Sequence, residues 1–251
     1  MKSKIGIGVL ATVLFLVFLV AYVPANQVLS RVELPKNISV SGVSGTFWNG
    51  KARNVVVNGL PIKDVNWSLS ALPLLWGSVA LDLDAGNQRR ADEISFAGEL
   101  TTDFSGEPVL SSDNFILYLP TDQVLANVQL PIPVIAGGRF RVTINELDFD
   151  QQCAVLVGRG EWLNASVAGT TENIPMGVYN AELSCDNGVI VANVAEPNLL
   201  GLNLVARISS FRNIAVTGKF KPDPSLHEEV HQASALFFTD VDADGYRLIN
   251  L

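Results

Sequence analysis

Beyond residue 36 the chain alternates apolar and polar positions in short runs, separated by Gly, Asn and Asp. Val79, Leu81 and Leu83 fall on one side of such a run, with Ala80, Asp82 and Asp84 on the other. Ile94, Phe96 and Leu100 alternate with Glu93, Ser95, Glu99 and Thr101. Phe140, Val142 and Ile144 oppose Arg139, Arg141 and Thr143, and Leu202, Leu204 and Ile208 oppose Asn203 and Arg207. The last such run sets Ile214, Val216 and Phe220 against Asn213, Thr217 and Lys219. Turn signals at Asn58-Gly59, Ala85-Gly86-Asn87 and Asp186-Asn187-Gly188 stand between the runs. Period-two patterning at this spacing predicts a mainly β, antiparallel architecture with one buried face.

Helical spacing is rare in this region. Ser70 to Trp76 predicts a short turn interrupted by Pro73, and Thr121 to Val128 predicts two turns behind Pro120, capped by Thr121. The best candidate is Ser225 to Phe238, with Ser225 as cap, Glu228 three residues on, and Leu226, Val230, Ala233 and Phe237 on one face. The β texture lies on both sides of Leu130-Pro131-Ile132-Pro133, a soft break that would divide residues 37–251 into two halves and is compatible with an internal duplication.

The N-terminus has a different pattern. Ile5 to Val23 is an uncharged block of 19 residues, which as a helix would reach about 28 Å, close to the ~30 Å hydrocarbon core of a bilayer. Lys2 and Lys4 precede it and the next charge is Arg31, so the positive-inside rule predicts residues 1–4 in the cytoplasm, a span over 5–23, a linker over 24–36 and the β-rich domain across the membrane. A cleaved signal peptide is the rival, with Val23 and Ala25 at −3 and −1 of a cut. The apolar block exceeds the usual signal core, and Pro24 crowds that cut. Either way the domain is exported.

Composition sharpens this picture. Mean hydropathy is +0.30, too apolar for disorder. From residue 24 onward the chain carries 15 bases and 25 acids, a net −10, with no basic cluster longer than two. Phosphate backbones would repel such a surface, so nucleic acid is excluded as a partner.

Candidate chemistry is sparse. Cys153 and Cys185 are the two cysteines, and an oxidising compartment would let them close a disulfide. Two buried thiols that never meet are the alternative. The absence of a CxxC removes thioredoxin-like chemistry and zinc ribbons. His227-Glu228-Glu229-Val230-His231 spells H-E-x-x-H, the helical pattern of zinc peptidases. These are the chain's two histidines, Ser234 and Phe237 break the longer pattern, and no downstream glutamate can serve as third ligand. A solvated helix face is the expected reading. Asp240-Val241-Asp242-Ala243-Asp244-Gly245 opens like a calcium loop, but the twelfth position is Leu251 where a bidentate glutamate is required. A turn into a strand over Tyr246–Leu251 is expected there instead. No nucleophile elbow, phosphate loop or dinucleotide fingerprint is present. The sequence therefore predicts no enzyme, no cofactor and no metal site.

Several stretches together resemble the GspN family, protein N of the bacterial type II (general) secretion system. They are Val40-Ser41-Gly42-Val43-Ser44-Gly45-Thr46-Phe47-Trp48-Asn49-Gly50, Val65-Asn66-Trp67-Ser68-Leu69 and the corner Leu72-Pro73-Leu74-Leu75-Trp76-Gly77. Gly160-Glu161-Trp162-Leu163-Asn164-Ala165 between the cysteines, and Asp242-Ala243-Asp244-Gly245-Tyr246-Arg247-Leu248 at the end, complete the likeness. The resemblance implies a single-pass inner-membrane protein of a Gram-negative bacterium. Its periplasmic domain would work with other inner-membrane or secretin components to export folded proteins. It also implies kinship with AsmA-like proteins, whose long curved sheets carry an apolar groove, so a lipid- or hydrophobe-binding groove is the alternative function. Trp48, Trp67, Trp76 and Trp162 are expected to fill the core or that groove.

Overall fold

The computed structural model describes residues 2–103, 109–126, 134–210 and 213–250. It opens with helix α1 (Lys2–Ala21) and a short helix α2 (Ala25–Leu29). Five strands follow: β1 (Ile38–Gly45), β2 (Asn49–Val57), β3 (Leu60–Ser70), β4 (Ser78–Ala85) and β5 (Ser95–Asp103). A 3-10 turn over Pro73–Trp76 joins β3 to β4. Next come β6 (Leu110–Ser112), β7 (Phe115–Pro120), helix α3 (Thr121–Leu125) and the long strands β8 (Ala136–Asp150), β9 (Gln152–Ala168) and β10 (Asn173–Asp186). The chain closes with β11 (Val189–Val194), β12 (Asn203–Ser210), β13 (Asn213–Phe220), helix α4 (Glu228–Phe237) and β14 (Arg247–Asn250).

All fourteen described strands belong to one antiparallel sheet laid down in chain order, with β6 and β7 sharing the place between β5 and β8. Tight turns enforce this meander. Asn58 and Gly59 take φ of 53° and 84°, and Asn187 and Gly188 take 51° and 82°. Two successive left-handed residues give the turn twist that matches antiparallel strands, and Asn-Gly reaches it with little strain. The expected break at 130–133 lies outside the described residues, and the sheet runs on past it because β6 and β7 both pair with β8.

Local signals at helix starts give way to competing bonds. Ser225 does not cap α4: its backbone N–H and hydroxyl both donate to the Asp223 carboxylate, at 2.8 and 2.7 Å, closing a tight Asx turn. His227 occupies the cap position, and its Nδ1 accepts from the Glu229 N–H. The buried residues of α4 are correspondingly Val230 and Ser234, with Leu226 buried just ahead of the cap, while Ala233 and Phe237 face outward. Thr121 is the first residue of α3 and no side chain caps that helix; Pro120 precedes it. The expected linker contains α2, and the final strand starts at Arg247, one residue later than expected, because the Tyr246 N–H is bound to Asp242.

Among the described residues no helix is long and apolar enough to cross a membrane. The side chains of residues 2–6 and 9 in α1 lie outside the described set. The accessible surface totals 16029 Å², against about 10,800 Å² for a compact monomer of this mass. One sheet without a second layer contributes to the excess, as does α1, whose large apolar side chains are exposed. The buried core cluster sits under α4, where Leu226 and Val230 meet Ala165, Ile174, Met176 and Tyr179.

Candidate functional site

Residues directly opposite in an antiparallel sheet share a face, so the register traces which surface each side chain joins. One apolar line crosses nine strands through paired positions. It runs Phe96, Leu117, Val142, Gly160, Ala181, Val194, Leu204, Gly218 and Ile249. Toward β1 the same face continues through the pairs Leu100–Leu81, Leu81–Leu69 and Leu83–Trp67. The opposite face is polar: Ser68 pairs with Asp82 and Asp82 with Glu99. On β8 and β9 the Arg141 guanidinium binds the Glu161 carboxylate, whose hydrogen bond holds the guanidinium pKa above its ordinary value.

Most apolar-face side chains are half-buried rather than buried. A buried cluster lies beneath α4, and its Tyr179 ends an aromatic row that steps from half-buried Phe140 to Trp162 to Tyr179 with centroids 5.8 and 5.4 Å apart. Burial pushes the Tyr179 phenol up to about 12, since the phenolate would lose its water there. The Trp162 indole donates to the Gly137 carbonyl at 3.0 Å, which fixes the ring in the row. The sheet therefore offers one long apolar surface with a lid over one part of it.

The two cysteines lie at one end of this surface. The β9–β10 ladder pairs as far as Gly158–Leu183. Past that point Cys153 and Cys185 are bonded through sulfur with Cα atoms 5.5 Å apart, and the Cys153 N–H donates to the Gly188 carbonyl at 3.0 Å.

The two metal-like motifs are engaged in local structure. Besides the His227 cap, the Glu229 carboxylate accepts from the Thr170 hydroxyl and N–H at 2.8 Å each, tying α4 to the β9–β10 turn. Those bonds hold the Glu229 pKa below its ordinary value. Among the described residues no three His, Cys, Asp or Glu side chains gather as a ligand set. Asp242 accepts from the Tyr246 and Asp244 N–H groups at 2.9 Å and from the Lys219 ammonium at 3.1 Å. The Tyr246 bond is the largest cause of its lowered pKa.

A carboxylate with a lowered folded-state pKa stabilises the fold above its unfolded value and loses that contribution as pH falls through the folded one. Asp242→Asn should therefore leave less stability to lose below pH 3.8. The check is the slope of thermal midpoint against pH in this acid range, which should be shallower in the variant. An unchanged slope would assign acid sensitivity elsewhere.

The tryptophans divide by role, where a shared place in the core or groove was expected. Trp162 belongs to the aromatic row. The Trp48 indole donates to the Val20 carbonyl of α1 at 2.8 Å, and the Trp67 indole to the Phe47 carbonyl at 3.0 Å. Trp76 is 77 % exposed. Its Leu-Pro-Leu-Leu-Trp setting, apolar without alternation, is the sequence signal that sets it apart from strand residues.

Comparison with known proteins bears on the whole sheet. The chain is 25 % identical over 241 residues to the "Type II secretion system protein N" of Vibrio cholerae serotype O1, covering 92 % of this chain and 91 % of that one. It is 25 % identical over 240 residues to the protein of the same name from Aeromonas hydrophila, with the same coverage. To the protein of that name from Klebsiella pneumoniae it is 22 % identical over 187 residues, covering 74 % of this chain and 69 % of that one. No solved structure matches. The family model described as type II secretion system (T2SS), protein N, matches residues 36–250, from just before β1 to the last residue of β14, and the chain belongs to that family.

Proposed function

We propose that this protein is a non-enzymatic component of the type II secretion system, held in the inner membrane by α1, with its sheet in the periplasm. The carrying observation is the family match across the entire sheet. Partners in this reading are other inner-membrane or secretin components of the machine. The uncharged block Ile5–Val23 behind Lys2 and Lys4 supports the anchor, as do Leu10, Phe15, Leu16, Phe18 and Leu19, large apolar side chains of α1 that face outward. A Cys153–Cys185 disulfide suits the oxidising periplasm. The net −10 of residues 24–251 keeps the domain soluble and favours basic patches on partners over distances of about a Debye length, ~8 Å at physiological salt.

The test is deletion of the gene followed by assay of folded exoproteins. They should accumulate in the periplasm, and a chain lacking residues 1–23 should fail to restore export even when its domain folds, because tethering supplies effective concentration.

A second reading has its own observation, the half-covered apolar face. That face would suit an acyl chain or another extended hydrophobe lying in an AsmA-like groove. Normal export together with altered lipid distribution or outer-membrane permeability in the deletion strain would replace the first reading with this one.

A further inference from the structure

The connection between β3 and β4 breaks the usual rule for exposed turns, which favour Gly, Asn, Asp and Ser. Leu72, Leu75 and Trp76 are 71 %, 76 % and 77 % exposed. No charge occurs between Asp64 and Asp82. Phe47 and Tyr22 add two exposed aromatic rings from neighbouring segments.

The location of this turn is fixed by hydrogen bonds. The β1–β2 turn is stitched to the end of α1: Trp48 donates to the Val20 carbonyl, and the Phe47 N–H donates to the Val23 carbonyl, both at 2.8 Å. Pro24 and Thr46 form a bridge beside them. The indole bonds a carbonyl in the last turn of α1, whose other bond is a long one of 3.4 Å from the Val23 N–H. The end of β3 lies at the same edge, because Ser68 pairs with Asn49 and the Leu69 N–H donates to the Trp48 carbonyl at 2.6 Å. The 3-10 turn Pro73–Trp76 directly follows that strand end. The exposed apolar group therefore sits where α1 leaves the sheet.

We propose that Leu72, Leu75 and Trp76, with Phe47 beside them, form a second membrane contact that seats the β1–β4 end of the sheet on the lipid interface next to the α1 exit. This rests on α1 being the membrane anchor. Tryptophan suits the headgroup level, where its ring meets hydrocarbon and its indole N–H meets water, and the leucines on the same turn enter the acyl boundary. The stitched turn ties the sheet to α1 at one place. A second contact with lipid beside it fixes how the sheet stands over the membrane.

The full chain, reconstituted in phosphatidylcholine–phosphatidylglycerol vesicles, supplies the test. Lipids brominated near the headgroup end of their acyl chains quench nearby tryptophan. Wild-type protein should lose a larger fraction of its fluorescence than Trp76→Phe, which keeps Trp48, Trp67 and Trp162. Leu75→Asp should reduce the Trp76 share of the quenching while the protein still floats with the vesicles. Equal fractional quenching of wild type and Trp76→Phe, in protein that resists alkaline carbonate extraction, would overturn the contact and leave the anchor standing. Extraction of the wild-type protein by carbonate would overturn the anchor itself, and the contact with it. A Trp76 unquenched by lipid but shielded once other secretion components are added would assign the turn to a protein partner instead.

Discussion

Replacing Cys153 and Cys185 together by alanine should lower the unfolding free energy by about 3–4 kcal/mol, the chain-entropy value for closing a loop of this length. The sequence separation is 32 residues. The enclosed segment holds most of β9 and β10, the two strands that carry Trp162 and Tyr179, so the unfolded state of the variant regains freedom in the part of the chain that builds the core. Regular pairing of these strands stops at Gly158–Leu183, which leaves the cross-link as a principal tie at that end. Urea unfolding of the full chain in detergent provides the measurement. Wild type should shift to a lower midpoint on adding reductant, and the double variant should begin at that lower midpoint and not move. Two free thiols titrating in the unreduced protein would remove the effect and the bond together.

Val230→Asp should cost at least about 3 kcal/mol, because an unpaired carboxylate replaces a methyl pair at a position only 9 % exposed. Val230 packs with Leu226, Ile174, Met176 and Tyr179, and this cluster, together with the Glu229–Thr170 bonds, holds α4 on the sheet. The damage should stay local. Contacts in a one-layer meander run between neighbouring strands, as in solenoid repeats whose stability is a sum of nearest-neighbour terms. Amide exchange should therefore speed up in α4, β9 and β10 while β1–β4 keep their protection. Uniform loss of protection across all strands would show that the sheet unfolds as one unit.

The strands were legible in the sequence wherever one face was apolar and the other charged, as at Phe140, Val142 and Ile144 against Arg139 and Arg141. The pattern identified that face without revealing what covers it, since alternation looks the same beneath a second sheet and beneath nothing. The extent of the open face emerges only from register: which residue opposes Val142 depends on turns and bulges far from it. Helix starts were harder. Ser225 looked like the cap of α4 because Ser, then Glu three residues on, is a strong local pattern. Asp223 two residues earlier bound that serine instead, and His227 took the position. The tryptophans show the same limit, for the indole N–H that decides the role of Trp48 finds its acceptor 28 residues away. The aspartate turn was easier, because Asp242 reaches N–H groups two and four residues ahead, with only the Lys219 ammonium coming from a distant segment.

The order of strands in the sheet has a consequence for how the chain is made. Almost every strand finds its partner in the segment synthesised immediately before it, so closing each pair requires only a short loop, and the sheet has low contact order despite being almost entirely β. The stitched Trp48 turn belongs to the first hairpin to emerge, and each later strand adds to an edge already standing. The cost of this vectorial route is a growing rim with open backbone groups at every stage. Among the described strands the last, β14, pairs over only four residues, Thr217–Phe220 of β13, a length that gives a stray strand little edge to extend.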